Sequence, residues 1–446
     1  MRHRITLRKQ LHADALFRRI RAAFAQIVDH RPGDIVISLA DALMSAFAMF
    51  SLKDPSLLAF DRRRKDPSNV KNLKKLFHIK TVPCDTQMRE IDDPVGPETL
   101  SPIYSDIFRQ LQRGKCLERF VFLDGCYLLT VDGTQYFSSK SIHCPSCSTS
   151  TNSTTGEVTY SHQMLAAAIV HPDMSEVIPV FPEPIEKQDG ETKNDCERNA
   201  AKRFVAQFRH DHPHLNVIIT EDGLHSNAPH IRTLQAHNMH FIIGAKRGDH
   251  GWLFDRLDEA VTAGTATEFT LKEGTVTHRF RFLNEVALNE SNQDLLVNVL
   301  EYWETKATGE TQHFAWVTDI TITLDNAYDL MRGGRARWKI EHETFNTLKN
   351  QGYHFEHNFG HGEQHLAVVF AMLMMLAFLV DQAQQIACRL FQAVLRKEGC
   401  KMAMWEHVRA LFYSVEWESM TQLFEAMVYG YRIDGITILY DSSYPL

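Results

Sequence analysis

The chain is poor in cysteine, with eight in 446 residues, and only Cys144 and Cys147 stand at a close, regular spacing. That excludes a secreted scaffold framed by disulfides and fits a reducing compartment. Long apolar runs are also missing: the longest, Leu366 to Val380, has 15 residues. A bilayer needs about 18 to 20, so this run is expected to be a buried core helix. The opening MRHRITLRKQ has no apolar stretch ending in small residues, so no secretory signal is expected and a cytoplasmic location is. Neither internal repeats nor low-complexity tracts occur. Basic excess is lacking too, because 48 Lys and Arg face 55 Asp and Glu, a net charge of −7. Such a total argues against attraction to phosphate over the whole surface but leaves room for local clusters.

Two clusters exist. Residues 1–25 hold seven Lys or Arg against Asp14 alone, and residues 61–80 hold eight against Asp61 and Asp66. Each is either a solvated face or a nucleic-acid-contacting arm, in which Arg18, Arg19, Arg62, Arg63 and Arg64 would be the contacts.

Composition otherwise fits a soluble chain of more than one domain, at 44% hydrophobic and 23% charged. The first 115 or so residues read as mainly helical; in ADALFRRIRAAFAQIV, Leu16, Ile20, Phe24 and Ile27 recur at helical spacing. From residue 116 to 249 the pattern changes to strands broken by glycine, then a helical run, KNDCERNAAKRFVAQFRHD, then LNVIITED, an apolar run of the kind buried on both faces. A helix near 228–237 and the strand HFIIGAK extend this α/β core. Residues 250–322 carry alternating runs that read as a β-rich insertion. Residues 323–385 resume the core, and 386–446 read as a helical C-terminal region.

Three carboxylates stand out. Asp132 and Asp222 end apolar strands, where open α/β sheets gather ligands, although a strand-end Asp before Gly is also an ordinary turn residue. RARWKIEHETFNTLKN, Arg335 to Asn350, reads as one helix. At about 100° per residue, Arg337, Glu341, Phe345 and Leu348 share one side, and Glu343 points elsewhere. A helix that buries Phe345 and Leu348 carries Glu341 inward, where a carboxylate is costly unless paired with Arg337 or bound to metal. Three converging carboxylates suit hard divalent cations and in-line phosphoryl displacement.

At LLTVDGTQYFSSKSIHCPSC, KNDCERNAAKRF, EDGLHSNAPHI, FIIGAKRGDH and RWKIEHETFNTLKNQGYHFEHNFGHG, the sequence resembles DDE transposases of the IS4-like insertion-sequence group, over residues 85–365. The resemblance implies an RNase H-like core in which Asp132, Asp222 and Glu341 are catalytic and hold two Mg²⁺ or Mn²⁺ ions. It implies cleavage at the ends of the element's own DNA and joining to target DNA, by a homodimer on double-stranded DNA near a bacterial-type nucleoid. Arg337 matches the group's signature as a DNA contact. Gly334 stands where that signature has Tyr, and Lys349 lies eight residues after Glu341 instead of seven. On a regular α-helix that extra residue turns Lys349 about 80° off the Glu341 face. A stand-alone nuclease and a non-catalytic DNA-binding remnant remain as alternatives.

Two further groups carry chemistry. His143, Cys144 and Cys147, with His162, are either a zinc site, since Cys-x-x-Cys offers two thiolates from one turn, or plain cytoplasmic thiols. His357, His361 and His365 recur every four residues, as metal ligands on a helix would, but Gly360 and Gly362 oppose a helix there, so the leading expectation is that they line or brace a loop beside the active site, with metal ligation as the alternative.

Overall fold

The computed structural model describes residues 5–185, 196–433 and 436–438. The expectations that touch Arg2, Arg4 and the segment Lys193, Asn194, Asp195 lie outside the described residues.

Strand β1 (Tyr127–Ser139) is the axis of the sheet. Its Leu128, Leu129 and Val131 are all buried, as a near-continuous apolar run requires when both faces are covered. Short β2 (Ser148–Thr151) leads into β3 (Val158–Val170), which returns antiparallel to β1. Two more short strands, β4 (Ile178–Pro179) and β5 (Glu183–Ile185), pair with β3. Helix Glu197–Asp211 then carries the chain to β6 (Val217–Glu221), parallel to β1, and helix Ala228–Ala236 carries it to β7 (His240–Gly244), parallel to β6. A hairpin on one flank of the first strand and two helix-connected parallel strands on the other is the expected RNase H-like arrangement.

The run at 250–322 opens with a helix, Gly251–Thr262, that its alternation did not predict. Strands β8 (Thr267–Glu273), β9 (Val276–Ala287), β10 (Leu296–Thr305) and β11 (Thr311–Thr318) follow as an antiparallel meander. Because β11 is hydrogen-bonded to β7, the meander continues the core sheet instead of standing apart from it.

Before β1 the chain is mainly helical, as expected, and helix Leu39–Ser51 is buried along its whole length. Against it packs helix Leu366–Ala387, whose apolar window is fully buried, which explains a run that is apolar all round. C-terminal helices fold back onto the N-terminal ones: Asn72 donates to the Phe412 and Val415 carbonyls, both at 2.7 Å, and Asp14 accepts from the Met420 amide. Lys53, at 1% exposure, pairs with Asp381 at 2.6 Å beneath the rings of Tyr353 and Trp405.

Candidate active site

Register places the first two acids together. Thr130 of β1 is level with Thr220 of β6 on adjacent parallel strands, and Asp132 and Asp222 stand two residues beyond that pair; Asp222 lies just past the end of β6, as expected, whereas Asp132 lies inside β1 instead of at its end, because β1 runs on against β3 to Ser139. Neighbouring strands lie about 4.8 Å apart, and residues two apart share a face. Thr130 on that face donates to the Arg337 carbonyl at 3.3 Å, which seats the helix bearing the third acid over it. Asp222 also serves its turn, accepting from the Leu224 amide at 2.9 Å.

Arg337 joins the first acid to the third: its Nη1 lies 3.0 Å from Asp132 and 2.9 Å from Glu341. Burial pushes the Asp132 carboxyl up to about 6; the Arg337 guanidinium opposes this, and the charges of Glu341 and Asp222 add to it. Three acids distant in sequence are thus neighbours.

The segment 335–350 is not one regular helix. Helix Ala327–Arg335 ends in a turn, and Ile340–Phe345 is a π-helical turn before helix Asn346–Asn350. Phe345 and Leu348 are buried, as their spacing predicted, and Glu343 is half-buried. A π turn absorbs one extra residue, so the phase from Glu341 to Lys349 returns to within about 20°, where a regular helix leaves about 80°. Lys349 pairs there with Glu356 at 2.8 Å. Gly334, in the place of the signature tyrosine, meets the indole of Trp316: a Cβ would stand 2.4 Å from Nε1.

A fourth carboxylate escaped the sequence reading. Glu197, at the start of helix Glu197–Asp211, has an oxygen 2.5 Å from where a Cβ on Gly133 would stand. Burial, and then the charges of Asp132, Asp222 and Glu221, push it up to about 7, partly offset by the Gly133 amide. The Asp-Gly pair at 132–133 was the available signal, since glycine leaves room for an incoming group. On the other face of β6, buried Glu221 is 2.6 Å from His230 and 3.2 Å from His225, and His225 lies 3.6 Å from Glu197. Burial opposes the charged form of Glu221, yet its two histidines hold the carboxyl below its usual range.

Beside Asp222 opens a cleft of about 510 Å³, lined by Lys246, Arg247, Arg335 and Arg337 among others. Trp338 stands at its rim, 48% exposed, under the Arg337 guanidinium. Basic residues of the N-terminal clusters lie elsewhere and divide. Arg18 and Arg62 are exposed, whereas Arg19, Arg63 and Arg64 pair with Asp106, Asp54 and Asp61.

Cys144, Cys147 and His162 meet in one buried cluster. His143 does not join them; it is exposed and stacks on Tyr160 at 4.2 Å, because successive residues before the turn point apart. The Cys147 thiol beside it, with burial, pushes Cys144 up to about 12. His357 packs on Phe359, and His365 sits at the N-cap of helix Leu366–Ala387.

A family model described as "Transposase DDE domain" matches residues 139–379, a stretch that holds Asp222, Arg337 and Glu341 and begins shortly after Asp132. No curated protein sequence matches the chain. Among solved structures the chain is similar to one described as "Cryo-EM structure of piggyBac transposase synaptic complex with hairpin DNA". The identity is 10% and the TM-score 0.39, over 94% of this chain and 79% of that one.

Proposed function

The chain belongs to the transposase DDE domain family, and we propose that it cleaves the ends of its own DNA element and joins them to target DNA by in-line phosphoryl transfer. The observation that carries this reading is that Asp132 of β1 feels the charges of both Asp222, just past the adjacent parallel β6, and Glu341, which Arg337 ties to it.

Carboxylates crowded enough to raise one another's proton affinity fit a divalent cation, because one guanidinium offsets only part of their charge. Asp132, Asp222 and Glu341 are the residues that would hold Mg²⁺ or Mn²⁺, and bound there such ions supply charge stabilisation to the oxygens around phosphorus. The chain's own groups do the rest. Arg337 keeps Asp132 and Glu341 apart in charge and together in space, and presents its remaining donors toward the cleft. Lys246, Arg247 and Arg335 line a path for a phosphate backbone, while exposed Trp338 offers a face on which a displaced base can stack. Lys349, rephased by the π turn, is a further phosphate contact that DNA would draw from its Glu356 partner. Membership of the IS4-like group, and a homodimer that brings two ends together, belong to the same proposal.

The experiment uses a duplex carrying the inverted repeats that flank the gene. With Mg²⁺ or Mn²⁺ the wild-type chain nicks the ends and joins pre-cleaved ones. Glu341→Gln loses both reactions and still binds the duplex, whereas Glu343→Gln retains them. Equal, near-wild-type cleavage by the two variants would sink the assignment; cleavage without joining would leave a nuclease.

A further inference from the structure

We propose that Cys144, Cys147, His162 and His361 form a zinc site that staples the loop after the catalytic helix to the hairpin of β1 and β3. It stands on its own geometry and does not depend on the DNA chemistry above.

The two sulfurs lie 3.7 Å apart. Tetrahedral zinc with bonds to sulfur of about 2.3 Å places two sulfurs about 3.8 Å apart. His162 Nε2 lies 3.2 Å from one sulfur and 3.3 Å from the other, a little inside the roughly 3.5 Å of a bound pair, and would move out slightly on loading. All three side chains are buried, and their ligand atoms lie within 4.8 Å of one another.

The fourth corner comes from 217 residues further along than Cys144, and no spacing rule in the sequence could have found it. His361 Nε2 is buried with no hydrogen-bond partner, an arrangement that folded proteins avoid. Its ring centroid is 5.1 Å from that of His162, and because its nitrogens stand outside the 4.8 Å cluster of the other three, the ring would swing inward on loading. Two imidazoles sharing a tetrahedral zinc stand roughly 5 Å apart by the same measure. His361 Nδ1 is held by Asn358 Oδ1 at 3.2 Å, the outer contact that leaves Nε2 as the ligating atom.

The loop is built to deliver this histidine. Gly360 and Gly362 flank it at φ +132° and +65°, backbone that other residues rarely adopt. Asp93 gathers the amides of Glu363, Gln364 and His365 at 2.8 to 3.1 Å, and Ser146, inside the Cys-x-x-Cys turn, donates to the Gln364 carbonyl at 3.1 Å. Nitrogen and sulfur donors select zinc over the hard cations suited to the carboxylate site.

The test is metal analysis of the untagged full-length chain, with cobalt(II) exchange as an optical readout. One zinc per chain is expected, and Co²⁺ should give the absorption of a tetrahedral thiolate site. Cys144→Ser and Cys147→Ser should lose the metal. His361→Ala should bind Zn²⁺ at least about tenfold more weakly against a chromophoric chelator, whereas His357→Ala should match wild type. If the cysteine variants do not fold, the cobalt spectrum of the wild type and the two histidine variants still decide. A folded wild-type chain that holds no stoichiometric metal and gives no thiolate–cobalt band overturns the proposal, as does unchanged zinc affinity in His361→Ala.

Discussion

The Glu197 carboxylate fills the space that a side chain at Gly133 would need, so the residue after the first acid and the start of a helix some sixty residues on are sterically coupled. Gly133→Ala forces that carboxylate away from Asp132. Because the clashing atoms are the far end of a flexible side chain, the expected result is little change in stability, with DNA cleavage reduced alongside that of Glu197→Gln. A Gly133→Ala chain with wild-type cleavage would show that the coupling is unimportant.

Glu197 and Asp132 also predict a pH dependence. Their folded values, about 7 and about 6, lie above the unfolded values for these residue types, about 4.3 and 3.9. The folded chain therefore holds protons that the unfolded chain releases. The stability this contributes is fully present below about pH 4 and is lost as pH rises through about 7. In Mg²⁺-free buffer the wild-type melting temperature should fall, relative to Glu197→Gln, between about pH 5 and pH 8. Added Mg²⁺ should raise the wild type more at pH 8 than at pH 5. Parallel melting curves for the two proteins across that range would refute the coupling.

Lys53 and Asp381 form a buried pair that ties the N-terminal helices to helix Leu366–Ala387. Burial lowers Lys53 to about 8, and Asp381 offsets part of that shift. Lys53→Met leaves Asp381 and the Tyr353 hydroxyl without their cation and should cost about 3 to 5 kcal/mol in urea melts. The double variant Lys53→Met, Asp381→Leu should recover part of the loss, because no unpaired buried charge remains. Equal stability of the single variant and wild type would contradict this.

Gly334 and Trp316 predict an outcome opposite to the one the family signature suggests. Restoring the aromatic residue with Gly334→Tyr drives a ring into the indole and should destabilise the chain, lower cleavage and shift tryptophan fluorescence. Trp316→Ala in the same chain should relieve the clash. Raised activity in Gly334→Tyr alone would show that the helix has room after all.

Much of the site was legible because it rests on local rules. An apolar strand ending just before Asp222, and a segment that buries Phe345 and Leu348 beside Glu341, follow from periodicity, whereas Asp132, expected at a strand end, lies inside β1. Other features were not. The π turn at Ile340–Phe345 cannot be seen in residue spacing, so the 80° offset reckoned for Lys349 on a regular helix does not apply. His143 was expected as a ligand because it adjoins Cys144, yet adjacent residues point in different directions, and the ring nearest His162 from the histidine-rich loop belongs to His361.

The order of residues determined most of which segments become strands and helices, and which acids stand near them, because side-chain period and burial act over a few neighbours. Tertiary packing decided the rest: that Glu197 joins the carboxylates, that a meander prolongs the core sheet, and that the His361 ring comes to lie beside His162. These depend on contacts between chain segments tens to hundreds of residues apart, and pairings at that range are set by which faces the folded layers bring together, not by any local repeat.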